Sequence, residues 1–215
     1  MVEWKRYKVE IQFEKRVVGT LPKNPDMIQA WVKSRIKNDD KKADDMAEKI
    51  SYEVMAQVEA DKKWVCFKSD EKGIYIEDRN IQAMLRESGT SLELFKGVGS
   101  VARKQAFQHA LFIEPSKIYF ERGGKIIKQP DGQQERMIHV MTRMGPRDSI
   151  KREDFIDVGA EMNFSIKIII PYNKKDANLT KGHIKDMMDL GQNIGLGGSR
   201  SQCFGQFKLT SFSEL

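Results

Sequence analysis

At 215 residues, with 40% hydrophobic and 32% charged side chains, the chain is long enough to bury a real core and too apolar for a disordered polymer. Lys and Arg number 37 against 31 Asp and Glu, a net charge of +6, which favours a polyanionic partner without demanding one. Two cysteines far apart in sequence argue against a disulfide scaffold and a zinc site, and no apolar run approaches the length of a membrane span.

The opening MVEWKRYKVEIQF alternates charged and apolar residues and has no apolar leader region, so a reducing cytoplasm is the expected location. Tyr7, Val9, Ile11 and Phe13 alternate with polar residues as a half-buried strand does. A turn over 17–22 follows, and Asn24-Pro25-Asp26 starts a helix whose stripe is Met27, Ile28, Trp31, Val32 and Ile36. Residues 37–45 form a dense run of mixed charge, the pattern of a solvated linker or a helix start. Met46, Ile50, Val54 and Val58 mark a second helix. Residues 64–67 and 73–76 are strand candidates around a polar turn, and Asp78 is the expected cap of a helix carrying Ile81, Met84 and Leu85.

Residues 97–110 predict a short helix capped by Ser100, with Arg103 and Lys104 exposed. Short strands are expected over 111–113, 117–120 and 125–128, separated by Glu114-Pro115-Ser116 and Arg122-Gly123-Gly124. Residues 136–143 alternate as a strand, which Gly145-Pro146 is expected to end. The most hydrophobic strand is expected over 160–172, with Phe164, Ile166, Ile168 and Ile170 on one face and Pro171 setting its end. A polar loop over 173–178 leads into the most informative stretch, LTKGHIKDMMDLGQNIGLGGSRSQCFGQFKL.

That stretch reads as an amphipathic helix, a glycine-rich turn and a returning strand. Ile184, Met187, Met188 and Ile194 recur at helical spacing, and Gly191, Gly195, Gly197 and Gly198 lead into Ser199-Arg200-Ser201. Glycines free the backbone to adopt φ > 0 and to offer N–H groups to an anion, and Arg200 adds a forked cation. The alternative is an αβ corner whose glycines serve only a tight connection.

Helix, GLGGSR and FGQFKL in this order resemble the C-terminal signature of the RAMP superfamily, the RNA-binding proteins of CRISPR systems. The Cas7-like backbone subunits, Csm3 and Cmr4 types included, resemble it best. Gly197, Gly198, Ser199, Arg200 and Gly205 match, whereas Cys203-Phe204 stands where a glycine-aromatic pair is usual. Residues 73–88 (GIYIEDRNIQAMLRES) loosely resemble a second element of the superfamily and carry Arg79 and Arg86. The resemblance implies an α+β fold in one domain: a ferredoxin-like (RRM-like) βαββαβ core with helical and hairpin insertions, 37–61 and 123–152 being the candidates. It implies a backbone subunit of a multi-subunit effector. Such subunits hold single-stranded guide RNA by its phosphates and assemble with copies of themselves and with other effector subunits.

For RNA binding the candidate residues are Gly195, Gly197, Gly198, Ser199 and Arg200 in the glycine loop, with Arg86, Arg143, Arg147, Lys151 and Arg152 as further cations. Cleavage has weaker candidates. Asp39 and Asp40 lie roughly where some Csm3-type proteins place a cutting aspartate, and His183 opens the C-terminal helix. The three histidines, His109, His139 and His183, fall in contexts unlike one another, and His139 alternates with apolar neighbours as a strand residue does, not as a general base. The histidine that processing endonucleases related to Cas6 carry soon after their first strand is absent here. GLGGSR lacks the lysine of a P-loop, and no cofactor motif is found. Two alternatives remain from sequence. One is a RAMP endoribonuclease trimming guide precursors. The other is a phage or mobile-element protein reusing the fold, since VVGTLPKNPD resembles short prophage proteins of unassigned role.

Overall fold

The computed structural model describes residues 3–22, 64–96, 106–142, 145–170 and 178–215. The helices expected over 24–36 and 46–58, the charged run 37–45, the Ser100 cap and most of the 173–178 loop lie outside these residues. In chain order the strands are β1 (Glu3–Phe13), β2 (Val17–Val18), β3 (Leu21–Pro22), β4 (Trp64–Cys66), β5 (Lys68–Ser69) and β6 (Ile74–Glu77). Helix α1 (Asp78–Ser91) follows, then β7 (Leu111–Glu114), β8 (Lys117–Tyr119), β9 (Glu121–Arg122), β10 (Lys125–Ile126), β11 (Gly132–Thr142) and β12 (Gly145–Ile156). β13 (Glu161–Ile170), helix α2 (Lys181–Ile194) and β14 (Phe207–Glu214) complete the fold. No described helix is long and apolar enough to cross a membrane.

The chain divides into two units. The first joins Met1–Val18, Ser69–Gln129 and Ile156–Leu215; the second joins Gly19–Lys68 and Pro130–Phe155. The first is α+β, built on an antiparallel sheet in the order β10-β9-β13-β1-β14, with β7 also pairing β13. Within it β14, β1, β13 and β7 lie side by side, so the first strand sits between the last two. α1 precedes β7 and α2 joins β13 to β14, which makes them the two crossovers.

Period-2 patterning drives this sheet. Tyr7, Val9, Ile11 and Phe13 of β1 are buried, as are Met162, Phe164, Ile166 and Ile168 of β13. Tyr7 faces Ile166 and Val9 faces Phe164 across the ladder, so both sets of apolar side chains share one face. The helices cover that face with Ile81, Met84 and Leu85 from α1 and Ile184, Met187 and Met188 from α2. Two glycines let the helices approach. A Cβ at Gly191 would lie 2.5 Å from Met84 Sδ, and one at Gly89 would lie 2.9 Å from Met187 Sδ. Asp78 does not cap α1 as expected. Glu77 is the N-cap residue and makes no side-chain cap bond, while the Asp78 carboxylate accepts from the Arg79 N–H at 2.7 Å. The carboxylate keeps its favourable place in the first turn of the helix.

In the second unit β11 and β12 form a long hairpin, in register from Gly132↔Phe155 to Thr142↔Gly145. Gly145-Pro146, expected to end a strand, opens the second arm instead. The two-residue link from Thr142 to Gly145 is the length a tight hairpin takes, and Gly145 adopts φ +102°. Glu153 is fully buried there, with Arg136 Nε 2.8 Å from its carboxylate and Lys151 Nζ 2.5 Å away. β12 pairs β4 in parallel, and β4 pairs β3.

Candidate nucleic-acid interface

The loop between α2 and β14 is held from both ends. Thr180 caps α2 by accepting from the His183 N–H at 3.2 Å. At the other end Gly195 leaves the helix at φ +79°, its N–H donating to Gly191 O. Two glutamines tie the helix end to the returning strand. Gln192 Oε1 accepts from the Leu209 N–H at 3.0 Å, and Gln206 Nε2 donates to Asn193 O at 3.0 Å.

Inside the loop the glycines are committed to the fold. The Leu196 N–H donates to Gly205 O, the Gly198 N–H to Val18 O and the Gly205 N–H to Arg16 O, at 2.8–2.9 Å. A Cβ at Gly205 would sit 1.7 Å from Leu196 O, and one at Gly197 would sit 2.7 Å from Val17 Cγ1. The N–H groups of Gly195, Leu196, Gly198 and Gly205 therefore face protein carbonyls and not an outside anion. What the loop offers outward is the segment 199–203. Ser199 and Cys203, both in the left-handed region at φ 56° and 63°, bracket a single 3-10 turn over Arg200–Gln202. Ser201, Gln202 and Cys203 are exposed, and Ser199 and Arg200 are half-buried.

Two cations that sequence reasoning passed over stand on a strap bonded to the residues that flank this segment. Glu14, Lys15, Arg16, Val17 and Val18 run from the end of β1 as a strap against the loop. The N–H groups of Glu14 and Lys15 donate to Gln206 O, and Arg16 O and Val18 O accept from the loop. Lys15 and Arg16 are exposed, and Arg16 Nε pairs with Asp157 Oδ1 at 3.0 Å. The signal was the Lys-Arg pair at the point where the β1 alternation stops. Arg200 itself is paired: its Nη1 lies 2.9 Å from Glu87 Oε2 on α1, both side chains substantially exposed.

The remaining candidates lie elsewhere. Arg86 is next to Glu87 and so about 100° round the helix from it. It shares a stripe with Gln82, which donates to Leu111 O in β7, and this puts it on the other flank of α1 from Arg200. Its Nε is buried with no hydrogen-bond partner. His183 stands twelve residues before Gly195 on α2, about 18 Å along the axis from the loop. Its ring packs edge-on against Phe95 at 5.3 Å, with Nδ1 buried and unpartnered. Lys151, Arg152 and Arg147 lie on β12 of the second unit. There Arg152 Nε pairs with Glu135 at 2.6 Å and Lys151 with Glu153, while Arg147 stands opposite Val140 in register. Asp39, Asp40 and Arg143 lie outside the described residues. Among the described residues no group of three or more His, Cys, Asp or Glu could hold a metal ion.

No family description matches the sequence, and no curated protein does. Among solved structures the fold is similar to a chain of the type III-B Cmr-β complex bound to cognate target RNA. The TM-score is 0.53 at 14% identity, over 99% of this chain and 61% of that one. The present chain thus spans less than two thirds of the length of the one it matches. At that identity the likeness is one of fold.

Proposed function

We propose that this chain is an RNA-binding protein of the RAMP type, a Cas7-like backbone subunit that grips guide RNA by its phosphates within a multi-subunit effector. The observation that carries the reading is the fold likeness over 99% of the chain to a subunit of a Cmr complex solved on RNA. Two further features support it. The succession β14-β1-β13-β7 with two helices between strands of an α+β unit is compatible with the ferredoxin-like core the resemblance implies. The loop that carries Arg200 is also hydrogen-bonded on both sides of that residue, at Gly198 and Gly205, to the strap that carries Lys15 and Arg16.

In this reading the glycines shape the corner, and the side chains of Ser199, Arg200 and Ser201 meet the phosphates together with Lys15 and Arg16. Contacts of that kind carry no base information, which suits a protein that must accept any guide sequence. Arg200 exchanges Glu87 for a phosphate on binding. An exposed ion pair is worth at most about 1 kcal/mol, so a polyanion displaces it readily. Partners in this reading are single-stranded RNA, copies of the chain and other effector subunits.

The test is purification from the native host followed by extraction and sequencing of the bound nucleic acid. Guide-length RNA with repeat-derived ends is the expected result, and Arg200→Ala should lower the amount retained. A monomer that carries no nucleic acid overturns the reading.

A further inference from the structure

Helices cover one face of the first unit's sheet, and the even-numbered residues of β1 point from the other. At one end of that open face Trp4 is 49% exposed and Phe112 of β7 is 38% exposed. The two flank β13, opposite Ile169 and Lys167 respectively, with ring centroids 5.7 Å apart. Lys167 Nζ sits 4.3 Å from the centre of the indole. Arg6, next on the same face of β1, places Nη2 3.0 Å from Glu114 Oε2, and Lys167 Nζ lies 3.8 Å from Glu114 Oε1. Two cations share one carboxylate here, leaving an excess of positive charge beside two half-open rings. The opposite end of the face is acidic, with Glu161 and Glu121 bonded to Gln12 and Asn163.

We propose that Trp4, Phe112, Lys167 and Arg6 form a base-stacking platform for single-stranded nucleic acid. It rests on the RNA-binding reading above and adds a contact to bases where the loop supplies contacts to phosphates. Aromatic rings stack on any base because every base has a π face, and a neighbouring cation holds the adjoining phosphate. A protein partner fits less well. A specific interface buries about 800 Å² on each side, whereas the apolar part of this patch is Trp4, Phe112 and Ile169 set among ions. Trp4 and the Glu14 end of β1 are ten residues apart on an extended strand, about 33 Å. The platform and the glycine loop are therefore separable by point substitution.

The test titrates the full chain into a fluorescein-labelled oligouridylate and into an abasic oligonucleotide of equal length, reading anisotropy. Trp4→Ala should weaken oligouridylate binding roughly tenfold and leave abasic binding unchanged. Trp4→Phe should restore most of the loss, because its ring still stacks. Thermal melts of both variants check that the half-exposed position leaves the fold intact. Unchanged oligouridylate binding by Trp4→Ala, alongside weakened binding by Arg200→Ala, overturns the platform and leaves the phosphate grip standing. Equal loss on both oligonucleotides overturns it too, since bases would then play no part. A change in self-association without any change in RNA affinity would assign the patch to a protein contact instead. If the wild-type chain binds neither oligonucleotide, the RNA-binding reading falls and the platform falls with it.

Discussion

Single positions in the α2–β14 loop carry separable duties. Gly205 takes φ +71°, and a Cβ there would meet Leu196 O at 1.7 Å. Neither party is a flexible side chain, so nothing yields cheaply. Gly205→Ala should cost at least about 2 kcal/mol, seen as a lower urea midpoint, because left-handed strain of about 1 kcal/mol or more adds to the backbone clash. Cys203, two residues earlier, is an exposed thiol, whereas Cys66 is buried; neither is in a disulfide. A thiol reagent should modify Cys203 quickly and Cys66 only on unfolding, and bound RNA should protect Cys203 if the loop holds it. The sequence showed that these glycines cluster but not which carbonyls they face. The loop accordingly reads as an open anion nest in one dimension and as a packed corner with an outward arginine in three.

Elements with strong periodicity were the legible part of the fold. β1 and β13 alternate without interruption, and α2 keeps its apolar stripe from Ile184 to Met188, so burial follows pattern. The pairing of β1 with both β13 and β14 was not legible, because it joins residues 149 or more apart and local pattern carries no register. Short elements are governed by single side chains. In the turn between β5 and β6, Asp70 accepts from the N–H groups of Lys72 and Gly73, from Lys117 Nζ at 2.7 Å and from the Tyr119 hydroxyl at 2.9 Å. Burial would raise the Asp70 pKa, but the bonds from Lys117, Tyr119 and the two backbone N–H groups outweigh it and lower the value to about 2. A carboxylate with a depressed folded pKa stabilises fully above its unfolded value near 3.8 and loses that contribution as pH falls towards about 2. Asp70→Asn should therefore lower Tm by a few degrees at neutral pH, with the gap to wild type closing between about pH 4 and pH 2. A gap that persists at pH 2 would mean that the loss is one of shape and not of charge.

At the scale of the molecule, the proposed RNA grip has two candidate units. The first unit presents Lys15, Arg16 and Arg200 around the loop, while the second carries its cations on the β11–β12 hairpin. Lys and Arg outnumber Asp and Glu by 22 to 17 in the first unit and by 15 to 14 in the second, so charge favours the first. Burial points the same way. Glu153 is fully buried between Arg136 and Lys151, so those cations are committed to satisfying a desolvated carboxylate and are costly to redirect. Arg200 and Arg16 are paired with exposed carboxylates that exchange at little cost. Each phosphate contact on a single strand adds about 0.7 to the slope of log K against log salt. Lys15→Ala with Arg200→Ala should then flatten the slope by about 1.4, two contacts' worth. Lys151→Ala should leave the slope nearly unchanged and lower the melting temperature instead, because it uncovers the Glu153 carboxylate. The reverse outcome, a flattened slope on changing Lys151 and an unchanged one on changing Lys15 and Arg200, would move the grip from the glycine corner to the hairpin.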